Sequence, residues 1–253
     1  MNPSDTLAGR TALVTGSTSG LGAGIAAALA EAGAHVIVTG RTRVRGEHVV
    51  QQIESRGGRA EFIPVDLAAG AGAIAELVAS ATDAAGGAID ILVNNAATLL
   101  QPEPTSRLTE NQLASVLAVN VTAPILMTGL VGPAMARRGT GSIVNIGSTS
   151  GLRGSSGSAL YGMTKAAMHS LTMSWADEYG PSGVRVNAVA PGPIATERNE
   201  EFADGIAPIL ARIPAHRMSS VQEVAAAVVF LAGPGASNVH GVVLPVDGGF
   251  AAV

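Results

Sequence analysis

Tyr161 and Lys165 stand four residues apart in the run SALYGMTK, and Ser148 precedes the tyrosine by thirteen residues. On a helix, side chains at i and i+4 share one face. An ammonium beside a phenol favours the phenolate and lowers the tyrosine pKa from its free value of about 10. A tyrosine tuned in that direction can give or take a proton in catalysis. Ser148 can bring its hydroxyl to the same oxygen. Tyrosine and lysine at this spacing also occur by chance on many helices, so the surrounding elements have to carry the rest of the argument.

Those elements form a consistent series. Residues 142–147 (SIVNIG) read as a buried strand ending in small polar residues, which leaves Ser148 at a strand-to-loop junction. In open α/β sheets, ligands bind at that end of the strands. Gly151, Gly154 and Gly157 make the next loop pliable, and a helix from about residue 159 carries Tyr161 and Lys165. Far upstream, a short apolar strand over 11–15 runs into TGSTSGLG and then an alanine-rich helix over 23–32. Strand, glycine turn and helix form a phosphate cradle: Gly16, Gly20 and Gly22 let the backbone approach a pyrophosphate, with Ser17, Thr18, Ser19 and Leu21 between them.

A second strand, 35–39, ends at Gly40-Arg41. An acid at this point binds the ribose 2′-hydroxyl of NAD, whereas an arginine suits the 2′-phosphate of NADP. The acid is missing and Arg41 is present, so NADP(H) is favoured over NAD(H). Further strands are expected over 60–65, ending at Asp66-Leu67, over 89–93, before Asn94-Asn95-Ala96-Ala97, and over 184–190, before Pro191-Gly192-Pro193-Ile194-Ala195-Thr196. Residues 109–136 read as mainly helical, with Asn120 between Val119 and Val121 and Pro124 bending the chain soon after. Residues 192–218, rich in charge, glycine and proline, read as a substrate lid. A helix over 221–231 and a strand over 242–246 complete the chain.

The whole chain sets bounds on these readings. Its 253 residues are 47% hydrophobic and 13% charged, as suits one domain (1–253) around a buried parallel sheet. A net charge of −4 without a basic run excludes a nucleic-acid partner, and the lack of cysteine excludes thiolate chemistry. The five histidines are scattered without metal-ligand spacing, so no metal is expected. Neither a leader-like start nor an apolar run of about 20 residues is found, so no membrane and a cytoplasmic location are expected.

Together, Ser148, Tyr161, Lys165, the TGSTSGLG turn and the Asn-Asn-Ala-Ala run resemble the short-chain dehydrogenase/reductases, and the likeness extends from Thr11 to Gly249. The resemblance implies a doubly wound, Rossmann-type sheet of roughly seven parallel strands with helices on both faces. It also implies hydride transfer between a nicotinamide and a small ketone or secondary alcohol. Ser148 would then bond the substrate oxygen, Tyr161 would exchange its proton, and Lys165 would tune Tyr161 and hold the nicotinamide ribose. Asn120 would anchor a relay water. Asp66 and Leu67 would meet the adenine, while Asn94, Ala96, Pro191, Gly192, Ile194 and Thr196 would border the cofactor. Ala97 stands where the family has glycine.

The family's long helices pair between subunits, which implies a homotetramer here. The helices at 109–136 and 160–180 carry apolar residues on more than one face (Leu126, Met127, Met168, Leu171 and Trp175), so one face can pack on the sheet and the other is left for that contact. The carrier-protein reductases of the family carry docking arginines where this chain has Ser182 and Gly139, with Arg137 and Arg138 adjacent, which implies a free substrate instead. NAD-dependent sugar or alcohol dehydrogenases, carrier-bound 3-oxoacyl reductases and a nucleotide-sensing regulatory protein remain as alternatives. An epimerase or dehydratase would require an added substrate domain.

Overall fold

A computed structural model describes residues 6–196 and 203–253. Seven strands lie in a single parallel sheet: β1 Thr11–Val14, β2 His35–Gly40, β3 Arg59–Pro64, β4 Ile91–Asn94, β5 Gly141–Ile146, β6 Val184–Pro191 and β7 Val243–Val246. Their order is β3-β2-β1-β4-β5-β6-β7. The chain reverses its direction of travel across the sheet between β1 and β4, which opens a crevice at the carboxyl ends of those two strands.

The central strands are apolar on both faces because helices cover both. Ala12, Val14, Val36, Val38, Ile91 and Val93 point into one core, under helices α1 (Gly20–Glu31), α2 (Arg43–Glu54) and α8 (Val221–Ala232). The alternate residues Leu13, Ile37 and Leu92 point into the other, under α3 (Ala71–Ala84), α5 (Ala123–Arg138) and α6 (Ala159–Tyr179). A period of two with both sides apolar is what a doubly covered parallel sheet requires. The expected fold class is therefore observed.

The expected single helix over 109–136 is broken in two. Thr109 opens α4 (Glu110–Leu117) with a reciprocal cap to Gln112. The chain then widens into a π turn, Ala118–Thr122, before resuming as α5. Pro124 has no N–H to give the Asn120 carbonyl four residues earlier, so the regular ladder fails there. Taken as one stretch, Glu110–Arg138 is long and apolar enough to cross a membrane by length and composition alone. No run of about 20 consecutive apolar residues lies in it, since Asn120, Thr122 and Thr128 interrupt the pattern. Much of that apolar content serves the core, since Val116, Met127, Val131 and Met135 are buried in this chain.

Two other expectations are refined. Of the apolar residues expected on more than one face of the long helices, Met127, Met168 and Trp175 form the face that packs on the core; the large apolar side chains exposed on these helices are Leu113, Ile125, Leu130, Met163 and Met173. The stretch expected as a lid contains α7 (Ala203–Leu210), which sequence pattern does not reveal, and pairing between Ile194 and Ser219 closes its base. Residues 197–202 of the expected lid lie outside the described residues.

Candidate active site

Ser148 lies two residues beyond β5 and opens a short 3-10 turn, Thr149–Gly151. Its hydroxyl accepts a hydrogen bond from the Ser150 amide at 3.1 Å, which fixes the rotamer and leaves the O–H to donate elsewhere. This turn is pressed onto α6. A Cβ at Gly151 would lie 2.7 Å from both the Ala166 nitrogen and the Lys165 carbonyl carbon, and one at Gly162 would lie 2.8 Å from the Ser150 oxygen. Glycine on each side thus brings the serine turn against the helix that carries Tyr161 and Lys165.

Tyr161 is half-buried and Lys165 is only 3% exposed. The Lys165 ammonium sits 5.6 Å from the centre of the Tyr161 ring and donates one hydrogen bond, 2.8 Å long, to the Ile146 carbonyl. Two of its three donors remain for a ligand. Burial lowers its pKa to about 8, so the charge is held at a cost. Asn120, in the π turn, is buried. Its Oδ1 accepts from the Thr98 amide at 2.7 Å, and its Nδ2 donates to the Thr98 carbonyl and to Thr164 Oγ1. The Thr164 hydroxyl in turn donates to the Tyr161 carbonyl. The Asn120 side chain therefore ties the π turn, the segment after β4 and α6 together, leaving its backbone carbonyl as the group Pro124 has freed.

The crevice between β1 and β4 holds the glycine turn. Gly16 and Gly20 have positive φ, 64° and 52°. A Cβ at Gly22 would lie 2.2 Å from the Gly16 oxygen and 2.5 Å from Asn95 Nδ2, whereas one at Gly20 would meet nothing within 4 Å. The turn is thus tight beneath and open above. Ser19 makes no side-chain cap, so the first N–H groups of α1 stay available to an anion, and a dinucleotide pyrophosphate fits this cradle. Asn95 braces it from below, donating to the carbonyls of Thr15 and Gly16 at 2.9 and 3.1 Å. Among the described residues, no three acidic or histidine side chains converge as a metal site would need.

Not every expected cofactor residue faces this crevice. Ser17 is fully buried; its amide bonds the Thr39 carbonyl, and its hydroxyl links the Val14 carbonyl to the Thr39 amide. It locks β1 to β2 with its amide and hydroxyl, so the expected contact to a cofactor does not come from its side chain pointing into the crevice. The Leu67 side chain points into the core, so only its backbone borders the crevice. Asn94 donates to Asn145 Oδ1 and Thr128 Oγ1, inside the sheet-to-helix packing. Arg41 and Asp66 are exposed beside the turn, Asp66 capping the Ala68 amide. Thr18, Leu21 and Ala96 are partly exposed around it, with the Ala96 amide held by Thr15 Oγ1. Pro191 ends β6, the Gly192 amide bonds the Val246 carbonyl, and Ile194, which follows, pairs with Ser219; Thr196 is half-buried. Ala97 is not among the positive-φ residues, so glycine is not required there.

Sequence reasoning leaves out Asn145, Thr164 and His169. The last stands at i+4 from Lys165, so the spacing that singles out Tyr161 and Lys165 already contains it.

A family model described as enoyl-(acyl carrier protein) reductase matches residues 16–251. The 2-dehydro-3-deoxy-D-gluconate 5-dehydrogenase of Bacillus subtilis (strain 168) is 38% identical over 250 residues, covering 96% of this chain and 95% of that one. A gluconate 5-dehydrogenase from Burkholderia cenocepacia J2315, solved with NADP and tartrate, superposes with a TM-score of 0.92 at 31% identity and covers 100% of both chains. A 3-oxoacyl (acyl-carrier-protein) reductase from Agrobacterium tumefaciens C58, solved with NADP bound, has a TM-score of 0.90 at 36% identity over 98% of this chain and 97% of that one.

Proposed function

The chain belongs to the short-chain dehydrogenase/reductase family, and we propose that within it Ser148, Tyr161, Lys165 and Asn120 form the site for NADP(H)-dependent interconversion of a small free ketone and its secondary alcohol. One observation carries the assignment of residues: the serine turn and the Tyr161–Lys165 face are packed as a single unit, with a desolvated ammonium beneath the phenol ring. When bound, the nicotinamide supplies or accepts the hydride. Ser148 donates its O–H to the substrate oxygen as charge develops there. Tyr161 delivers the proton in reduction and removes it in oxidation. Lys165 stabilises the phenolate and offers its two remaining donors to the ribose hydroxyls. Asn120 holds the π turn open, so that its carbonyl can anchor a water leading protons to solvent. The Gly16–Gly22 cradle takes the pyrophosphate.

The preference for NADP(H) rests on Arg41. It is exposed at the end of β2 and, among the described residues, makes no hydrogen bond or ion pair, so its planar guanidinium is available to a 2′-phosphate. Arg43 instead pairs with Glu47 at 3.3 Å on the outside of α2. A free, sugar-acid-like substrate is favoured over a carrier-bound one. Arg138, beside the carrier-docking position, is committed to the Ile89 and Ala134 carbonyls, while Gly139 and Ser182 offer no charge. Two of the relatives named above are gluconate-type dehydrogenases. The third is a carrier-protein reductase, which makes that activity the second reading. The exposed apolar side chains of α4, α5, α6 and α8 favour assembly as a homotetramer.

The test is NADPH-linked reduction across a panel of keto-sugar acids, simple ketones and a ketoacyl thioester. We expect turnover with the first group, and a loss of about 10²- to 10⁴-fold in Tyr161→Phe with NADPH affinity retained. Normal turnover in that variant would sink the mechanism, and salt-sensitive reduction of only the carrier-bound thioester would transfer the assignment to the second reading.

A further inference from the structure

Helix α6 grips the end of β5 through one stripe of side chains. Lys165 donates to the Ile146 carbonyl, His169 meets the Ser148 amide, and Thr172 Oγ1 accepts from Asn145 Nδ2. These positions are four and three residues apart, so they lie on one face. Lys165 belongs to the proposed chemistry, and the Thr172–Asn145 pair is one link in the buried polar chain that continues to Asn94. His169 is different. It is titratable, 6% exposed, and assigned no part in the chemistry above.

Its ring is built into the serine turn. A Cβ at Gly147 would fall 2.2 Å from Nε2, and one at Gly151 would fall 2.8 Å from Cε1, so the ring fills the space that these glycines leave on either side of Ser148. Nε2 lies 3.4 Å from the Ser148 amide nitrogen in acceptor geometry. A ring nitrogen that accepts an N–H must be unprotonated, which places the proton of a neutral ring on Nδ1. Nδ1 is buried and, among the described residues, has no hydrogen-bond partner. Burial first, and then the neighbouring Lys165 charge, keep the ring neutral. The contact to Ser148 is long, as bonds supporting a site commonly are before substrate is bound.

We propose that His169 is a positioning residue: its unprotonated Nε2 holds the Ser148 amide and so aims the serine hydroxyl at the reacting oxygen beside Tyr161. The proposal rests on the reading of Ser148, Tyr161 and Lys165 as the site, and it adds a residue that touches neither substrate nor cofactor.

A double-mutant cycle with Ser148 tests it. His169→Leu keeps the bulk and removes the acceptor; kcat is expected to fall about tenfold while KM for NADPH stays unchanged. His169→Gln, which retains an acceptor, should recover most of that loss. In a Ser148→Ala background, His169→Leu should cost less than about twofold, because the group it positions is gone. A full tenfold loss in that background, or equal losses for Leu and Gln, would overturn the proposal alone. Wild-type turnover in Ser148→Ala would overturn the site reading along with it. Should the leucine variant fail to fold, nitrogen NMR of the wild-type imidazole decides: a neutral Nδ1–H tautomer from about pH 6 to about pH 8 is expected. An imidazolium or an Nε2–H tautomer overturns the proposal, since neither can accept the Ser148 amide.

Discussion

Lys165 bears an electrostatic cost in the site. Burial holds its pKa at about 8, against 10.5 for a free lysine. A folded-state value below the unfolded one means that folding disfavours the ammonium. The penalty is fully present below about pH 8, shrinks as pH rises from there, and is gone above about pH 10.5, where both states are neutral. Lys165→Met should therefore raise Tm by about 2–4 °C near pH 7, a net gain of about 1 kcal/mol after losing the bond to Ile146, while turnover falls by about 10² or more. Calorimetry across pH checks the sign, since the gain should narrow towards pH 10; a variant that melts below wild type at neutral pH would contradict it. Cofactor choice is also decided by single residues. A Cβ at Gly40 would lie 2.7 Å from Thr18 Cγ2, so Gly40→Asp alone strains the turn. The pair Thr18→Ala/Gly40→Asp should move the enzyme towards NADH without that strain. Arg41→Ala should lower kcat/KM for NADPH by about ten- to hundredfold and leave NADH nearly unchanged. A wild type that prefers NADH would show that the end of β2 has been misread.

At the scale of elements, the site depends on backbones in close approach. The glycine turn, β4 and α1 meet at Gly22, where there is no room for one methyl group: its Cβ would sit 2.2 Å from the Gly16 oxygen. Gly22→Ala has to push the turn and the Asn95 brace outward. We expect a destabilisation of about 1–3 kcal/mol, and an NADPH dissociation constant raised more than about tenfold. Gly20→Ala is the control for space, because its Cβ would meet nothing within 4 Å, although its φ of +52° still penalises alanine by about 1 kcal/mol. Fluorescence titration with NADPH orders the two variants; equal affinity in both would mean that the cradle is softer than its contacts indicate. The π turn is the second such device. Its widened backbone brings Asn120 into reach of both Thr98 and Thr164, and in an unbroken helix the side chain would take another direction.

Across the whole molecule, apolar surface is left over after both cores are filled. Leu113 is 37% exposed, Ile125 42%, Leu130 44%, Met163 48% and Met173 56%, all on α4, α5 or α6, and Phe230 on α8 is 47% exposed. Large side chains at such exposure on neighbouring helices suit a contact between copies. A homotetramer is expected by light scattering at micromolar concentration, with Leu130→Glu and Met173→Glu together lowering its mass. A monomeric wild type would remove the assembly from the proposal.

Much of this protein is legible as pattern. Short continuous apolar runs mark the strands, Gly16, Gly20 and Gly22 mark the cradle, and i, i+4 spacing pairs Tyr161 with Lys165, because these signals are local in the chain. Other features arise only when distant segments meet. Ser17 reads as a loop residue but its amide and hydroxyl are consumed between β1 and β2, and pattern alone does not say which of Leu126, Met127, Met168, Leu171 and Trp175 fill the core. His169 is visible at i+4 from Lys165, yet its meaning depends on Gly147 and Gly151 from another element leaving a slot for its ring. The break in the long helix needed both Pro124, which is local, and the Asn120 contacts to Thr98 and Thr164, which are not. What the sequence determined alone was the strands, the glycine cradle and the residue types that carry the chemistry. Which side chains were left free to act was decided by packing, since a hydrogen-bonding group or an apolar face already taken by a neighbour is no longer available to a ligand.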